Sequence, residues 1–418
     1  MPESQPIYTE NQVELDPYSL PLEDINVANP FLFSRDVHWD WFKRLRDEAP
    51  VHYCAESFFG PYWSVTRYDD IMSVDTSHDL FSSEPTIVIQ DPEEDFTLPM
   101  FIAMDRPKHD EQRMVVAPVA GPQNLRNFEP MIRERTIDVL EHLPVGESFD
   151  WVENVSIELT TRMLATLFDF PFEERSKLTY WSDASTAIPG MGLVDSEEHR
   201  QQIMLQCLEY FTGLWNERVN APPGNDLISM LAHGEATRNM PPLEYLGNLV
   251  LLIVGGNDTT RNTMSASVLN LANNPDQYRK LVADQDLIPS MVAETIRWQT
   301  PLAYMRRTAK IDTVLGGQQI KAGDKVIMWY ISGNRDERVF ERPDSFIIDR
   351  PDVRKHLSFG FGIHRCMGNR LAELQLKILW EEILKRFDRI EVVGEPERTI
   401  SSFVHGYTAL PVIAHALA

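Results

Sequence analysis

A single cysteine, Cys366, closes the glycine-rich run Phe359-Gly360-Phe361-Gly362-Ile363-His364-Arg365-Cys366-Met367-Gly368, and a helical stretch from Asn369 to Arg386 follows at once. A helix N-terminus carries about half a positive charge, and the amides of the preceding loop add donors, so this position favours a thiolate. Such a thiolate suits metal ligation. The other cysteines, Cys54 and Cys207, are too few and too scattered for an all-cysteine zinc site, an all-cysteine iron–sulfur cluster or a disulfide framework. Cys366 would ligate a metal as its sole thiolate.

A second chemical candidate interrupts the longest apolar helix pattern, which runs from Leu243 to Asn273 between Pro241-Pro242 and Asn274-Pro275. Its apolar residues lie nearly all round, so the helix is expected to cross the interior. Within it stands Gly255-Gly256-Asn257-Asp258-Thr259-Thr260-Arg261-Asn262. Paired glycines in a helix interior cost about 1 kcal/mol each relative to alanine, and a buried Asp258 needs partners. Either the helix kinks and exposes a solvated face, or it widens beside a ligand so that a hydroxyl and a carboxylate direct protons. Glu294 and Arg297, three apart on a helix from Pro289 to Gln299, can pair on one face. So can His109 and Arg113, four apart on a helix from Pro107 to about Val119.

The elements that position these groups are mostly helical. Helices are expected over 36–48, 68–77, 129–143, 152–168, 173–187, 196–217, 226–232 and 276–283. Short strands are expected over 51–54, 62–65, 306–309, 311–315, 325–331 and 390–393, with Gly316-Gly317 as a turn and a hairpin-like stretch from Thr399 to Ile413. Residues 1–30 are polar and proline-punctuated, an expected loose arm, and 31–418 are expected to form a single domain. Phe81 to Met104 is a long irregular stretch of the kind that often lids a site.

Composition bounds the function. The 418 residues are 43% hydrophobic and 24% charged, the make-up of an ordinary globular protein with a sizeable core. No run of about 18 apolar residues occurs, and Glu3, Glu10, Glu14 and Asp16 replace a signal peptide's basic start, so a cytoplasmic protein without a membrane span is expected. A net charge of -24 argues against nucleic acid and anionic membranes as general partners.

Four motifs in order resemble the cytochrome P450 superfamily over almost the whole chain: Gly255-Gly256-Asn257-Asp258-Thr259-Thr260; Glu294-x-x-Arg297; Phe340-x-x-Pro343-x-x-Phe346-x-x-Asp349-Arg350; and Phe359-Gly360-x-Gly362-x-His364-x-Cys366-x-Gly368. The resemblance implies a mainly α fold with small β-sheets, a triangular prism holding haem b between the long helix and the helix after Cys366. By that resemblance Cys366 is the axial thiolate of the iron, and Phe359 shields it near Gly368. His109, Arg113, Arg307 and His364 match positions that bind haem propionates. Asp258 and Thr259 match a proton relay. Glu294 and Arg297, joined by Arg335, match a buried structural network.

The family places the substrate among segments that here offer Ile89, Leu98, Phe101, Leu251, Val254 and Gly255 from the early loop and long helix. Leu302, Met305, Phe403, Val404 and Leu410 complete that set from later segments. None is charged, which suits an aliphatic or terpenoid substrate held by burial. The wording around the second and last motifs, continuing through Leu379-Trp380-Glu381-Glu382, resembles the bacterial soluble alkane terminal hydroxylases. That implies insertion of oxygen from O2 at the terminal C–H bond of medium-chain alkanes, fatty acids or related aliphatics.

The chain has no dinucleotide fingerprint, so electrons must come from elsewhere. The resemblance implies NADH, a ferredoxin reductase and a small ferredoxin acting on an expected monomer. Arg350, Arg354, Lys355, Arg365 and Arg370 form an expected basic patch for that ferredoxin. Oxidation of a terpenoid or sterol, and gas binding without turnover, are the alternative readings.

Overall fold

A computed structural model describes residues 10–93 and 95–417; the first nine residues of the expected arm lie outside the described residues. The fold is mainly helical with small sheets, as the motif order implied. Its axis is the helix Pro242–Asn273, 32 residues long, which at 1.5 Å per residue spans about 48 Å. Its first half packs Leu246, Leu249 and Ile253 into one hydrophobic cluster, and its second half packs Met264, Val268 and Leu269 into another. The polar Gly255–Thr260 stretch falls between the two clusters.

That helix stays α-helical through the glycine pair, with no π-helical turn there. The two glycines do different things. A Cβ on Gly256 would sit 2.8 Å from Leu164 on the neighbouring helix Glu158–Phe168, whereas a Cβ on Gly255 would meet open space. Close packing accounts for one, and a cavity accounts for the other. A π-helical turn occurs elsewhere, at Val152–Ile157, where an uninterrupted helix to Phe168 was expected.

Proline and glycine explain most boundary differences. The helix after Pro107 ends at Val116, just before the 3-10 turn Ala117–Ala120 that carries Pro118, where an interior proline would cost a backbone hydrogen bond. The next helix begins at Pro122, seven residues before the expected start at 129, since proline suits a first helical turn. Residues 10–30 are not a loose arm. They form three 3-10 turns, and Ile25, Val27 and Ala28 are buried against Phe33, Trp41 and Trp329.

The principal sheet has five strands in the spatial order Val51–Cys54, Tyr62–Val65, Lys325–Met328, Met305–Ala309 and Phe81–Ser82. All its pairings are antiparallel except Tyr62–Val65 with Lys325–Met328. Thr313–Leu315 and Gln318–Ile320 form a hairpin around Gly316-Gly317, both with positive φ, as its tight turn requires. The expected strand at 311–315 starts only at Thr313. A three-stranded sheet joins Ser148–Asp150, Pro411–Ala416 and Phe387–Val392.

Candidate active site

The long helix and the helix Asn369–Arg386 wall one cavity of about 460 Å³, and the irregular stretch from Pro85 to Ala103 covers it. Cys366 lies on one wall and Thr259 on another. The cysteine loop owes its shape to glycine. Gly360 and Gly362 have φ of +63° and +67°, and a Cβ on Gly362 would lie 2.8 Å from the Asp75 carbonyl oxygen. The Cys366 amide donates to the Phe359 carbonyl at 2.7 Å and closes the turn.

The Cys366 side chain is open to the cavity yet enclosed by protein rather than by bulk water. That enclosure pushes its thiol pKa up. The Gly368 amide, the Arg113 guanidinium and the Asn369 amide pull in the other direction, toward the thiolate. Without a cation in the cavity burial wins; a metal ion would reverse the balance.

A cluster of polar, titratable side chains lies beside it. The His109 and His364 rings are 4.2 Å apart between centroids, and His109 Nε2 and His364 Nδ1 are buried with no partner among the described residues. Burial, and after it Arg307, push the His364 pKa down to about 2. Arg113 donates to the Arg365 carbonyl at 2.5 Å. Arg113, Arg307 and His364 all reach the cavity wall. The orphaned nitrogen of His364 and the two guanidiniums fit the carboxylates of a bound haem, and the open space at Gly255 and Gly368 fits its ring, whereas His109 meets the His364 ring without lining the cavity.

One member of this cluster has no signal in the sequence pattern. Asp75 is buried on the helix Tyr68–Thr76 and lines the same cavity. It accepts from Arg307 at 2.8 Å, from the Tyr330 hydroxyl at 2.9 Å and from the Phe361 amide at 2.8 Å. Burial raises its pKa against the pull of Arg307. It ties the arginine to the cysteine loop, and its partners lie 232 to 286 residues away.

On the long helix the two polar candidates separate. Thr259 faces the cavity, and its hydroxyl donates to the Gly255 carbonyl at 2.9 Å. Asp258 points away from it and is buried. Ser182, Asn257 and Arg261 all donate to its Oδ1, at 2.9, 3.0 and 3.2 Å, while Oδ2 has no partner among the described residues. Arg261 also bonds the half-exposed Asp183 at 2.9 Å, which carries the network toward solvent. The ion pair raises Arg261's pKa, yet at Asp258 burial outweighs the same pair and raises the carboxyl too.

Behind the cysteine loop, Glu294 and Arg297 pair at 2.8 Å with no exposure of either. Arg350 joins that network directly, 3.0 Å from Glu294, while Arg335 meets Arg297 only at the Pro343 carbonyl that both donate to. Arg335 instead donates to the Pro343 and Trp298 carbonyls and stacks 3.6 Å over the Trp298 ring. Burial of Arg350 also removes it from the expected basic patch, leaving Arg354, Lys355, Arg365 and Arg370 exposed there.

Of the expected pocket residues, Leu98, Phe101, Leu251, Val254, Gly255, Leu302, Met305 and Phe403 line the cavity. Ile89, Val404 and Leu410 do not. Ile87, Val88 and Gln90 face in while Ile89 is buried in the core beside them, and Phe403 faces in while Val404 is buried in a bridge to Leu302. Leu410 is wholly buried in the second cluster. The far end of the cavity carries charge that the sequence reading missed, where Glu197 pairs with Arg200 and Gln201 donates to Glu93 at 2.5 Å.

Comparison with known proteins agrees with this geometry. The family model for Cytochrome P450 matches residues 197–405. Linalool 8-monooxygenase of Pseudomonas putida is 35% identical over 94% of this chain and 99% of its own length. Methyl-branched lipid omega-hydroxylase of Mycobacterium tuberculosis is 30% identical over 95% and 96%. Among solved structures, cytochrome P450-153 from Novosphingobium aromaticivorans superposes with a TM-score of 0.87 at 50% identity, covering 93% of this chain and 99% of that one. CYP153D17 from Sphingomonas sp. PAMC 26605 gives 0.89 at 52%, covering 94% and 100%. A cavity joining a loop cysteine, a cluster of polar, titratable side chains and a helix threonine, on a fold shared with these proteins, places the chain in the cytochrome P450 family.

Proposed function

We propose that this P450 monooxygenase inserts one atom of O2 into the terminal C–H bond of a medium-chain alkane, fatty acid or related aliphatic molecule. The observation that carries the reading is that Cys366 and Thr259 open onto the same cavity, whose walls between them are mainly apolar. Cys366 would hold the haem iron, with Phe359 covering the sulfur, and Arg113, Arg307 and His364 would hold the propionates, with His109 against the His364 ring. Glu294, Arg297 and Arg350 brace the loop from behind. The haem supplies oxygen activation when bound.

The chain's own groups then manage substrate and protons. Leu98, Phe101, Val254, Leu302 and Phe403 bind an apolar chain by burial at about 25 cal/mol per Å². The Thr259 hydroxyl, released from the Gly255 carbonyl, donates a proton into the cavity and is resupplied from Asp258. Asp258 would reach it by releasing its Oδ1 from Ser182, Asn257 and Arg261 and turning toward the cavity, and Asp183 and Arg261 connect that carboxyl to solvent.

Chain-end oxidation draws support from the omega-hydroxylase among the relatives and from the motif wording shared with alkane terminal hydroxylases. The linalool 8-monooxygenase relative favours a second reading, a terpenoid substrate. Incubation with alkanes, fatty acids, terpenes and sterols, with NADH, reductase and ferredoxin, followed by product mass analysis, tests both. Terminal alcohols from straight chains are expected. Products from terpenes alone would favour the second reading, and intact carbon monoxide binding without turnover on any substrate would contradict both.

A further inference from the structure

Outside the cavity, Asp36, His38 and His405 bring one ligand atom each to within 4.8 Å of one another. His38 and His405 are 0% and 4% exposed. Their Nδ1 atoms lie 3.3 Å from the Leu32 carbonyl and 2.5 Å from the Gln299 carbonyl. A carbonyl only accepts, so each Nδ1 carries the proton and each Nε2 presents a lone pair. Both Nε2 atoms are buried with no partner among the described residues. The rings are 5.3 Å apart between centroids. The two imidazole acceptors are left, among the described residues, without a donor or cation of their own, although the Asp36 carboxylate beside them is satisfied by Trp39 and Arg398.

We propose that Asp36, His38 and His405 form a second metal site, for a borderline divalent transition ion of the Zn2+ class. Histidines that hand one ring N–H to a backbone carbonyl and leave the other nitrogen free have the tautomer and anchoring that metal-binding imidazoles use. Burial among Phe33 and Phe42 keeps both rings neutral, which is the ligating form. Two imidazoles and one carboxylate suit Zn2+ with an open fourth position, whereas Ca2+ and Mg2+ require mainly oxygen ligands. Bonds of about 2.0–2.1 Å put tetrahedral ligands about 3.4 Å apart, so the three side chains must close in on binding.

Asp36 is held for this task. Its φ is +58°, its Oδ1 takes the Trp39 indole at 3.0 Å, and its Oδ2 takes Arg398 at 2.8 Å. Arg398, and Arg335 stacked 4.4 Å over the Trp39 ring, oppose a second cation, so the affinity falls below that of an all-anionic zinc site. Binding would staple the start of the helix His38–Glu48 to the chain segment that carries Phe403 into the substrate cavity.

The test uses haem-loaded full-length protein, stripped with chelator, titrated with Zn2+ against a chromophoric competitor, and then desalted for the zinc-to-iron ratio. One tightly held zinc per haem and a zinc-dependent rise in melting temperature are expected. Asp36→Asn and His405→Gln should each lose the zinc while keeping the carbon monoxide spectrum of the parent. Should His405→Gln fail to hold haem, Asp36→Asn at the partly exposed position decides alone. No stoichiometric zinc in the parent, or parental stoichiometry in a folded variant, would overturn the site.

Discussion

Replacing Glu294 by glutamine leaves the shape of the network behind the cysteine loop and removes its only carboxylate. Arg297 reaches both Glu294 oxygens at 2.8 Å, Arg350 Nε lies 3.0 and 3.1 Å from them, and the Ile347 amide donates at 2.9 Å. A glutamine keeps one accepting oxygen and turns a donor toward guanidiniums that only donate. Two buried cations lose their counterion. Breaking a buried ion pair from one side costs about 3–5 kcal/mol. An unfolding entropy of about 2.1 cal/mol/K per residue gives roughly 0.9 kcal/mol per kelvin for a chain this long, so the melting temperature should fall by about 3–6 °C. Melting followed by circular dichroism and by the Soret band measures this directly. At ambient temperature the variant should keep the thiolate-type carbon monoxide spectrum, because the damage is to support. A shift under 1 °C, or loss of turnover with melting unchanged, would refute the structural role.

Thr259→Ala should keep haem and substrate binding but divert NADH electrons into peroxide; unchanged coupling of NADH to product would count against the threonine as proton donor. Gly255→Ala should stabilise the long helix by about 1 kcal/mol and weaken the substrate-induced spectral shift, because its methyl enters the open space there. At Glu382, burial favours the neutral acid, but hydrogen bonds from Lys385, Arg133 and Arg386 outweigh it and bring its pKa to about 2. Its stabilisation is therefore complete above the unfolded value of about 4.3 and lost as pH falls toward 2. Glu382→Gln should lower stability at pH 7 by about 1–2 kcal/mol, since its cations reach water, and by much less at pH 2; an equal loss at both would contradict that linkage. Rising salt should slow electron transfer from an acidic ferredoxin if Arg354, Lys355, Arg365 and Arg370 steer it, and insensitivity would remove them from that role.

What the sequence disclosed was local. The cysteine loop, its following helix and the long interior helix could be bounded to within a residue because glycine, proline and apolar periodicity act over a few positions. The glycine pair was visible, but its division into a packing glycine and a cavity glycine depends on Leu164, 92 residues earlier in the chain. Asp75 and Arg350 stayed hidden as partners for the same reason. An aspartate in Ser-Val-Asp-Thr-Ser carries no pattern that announces an arginine far along the chain, and Arg350 resembled a surface charge until its burial against Glu294 was seen. Irregular, bent backbone decided which of Val88, Ile89, Phe403 and Val404 face the cavity, and a list of apolar residues cannot supply those side-chain directions.

The account rests on Cys366 acting as the thiolate that holds haem iron in the described cavity. The ferrous carbon monoxide spectrum of the parent protein and of Cys366→Ser tests it most directly. The parent should show the red-shifted Soret band of a thiolate-ligated haem, and the variant should lose that band even where it retains haem through the propionate cations. Persistence of the red-shifted band in Cys366→Ser would contradict the assignment.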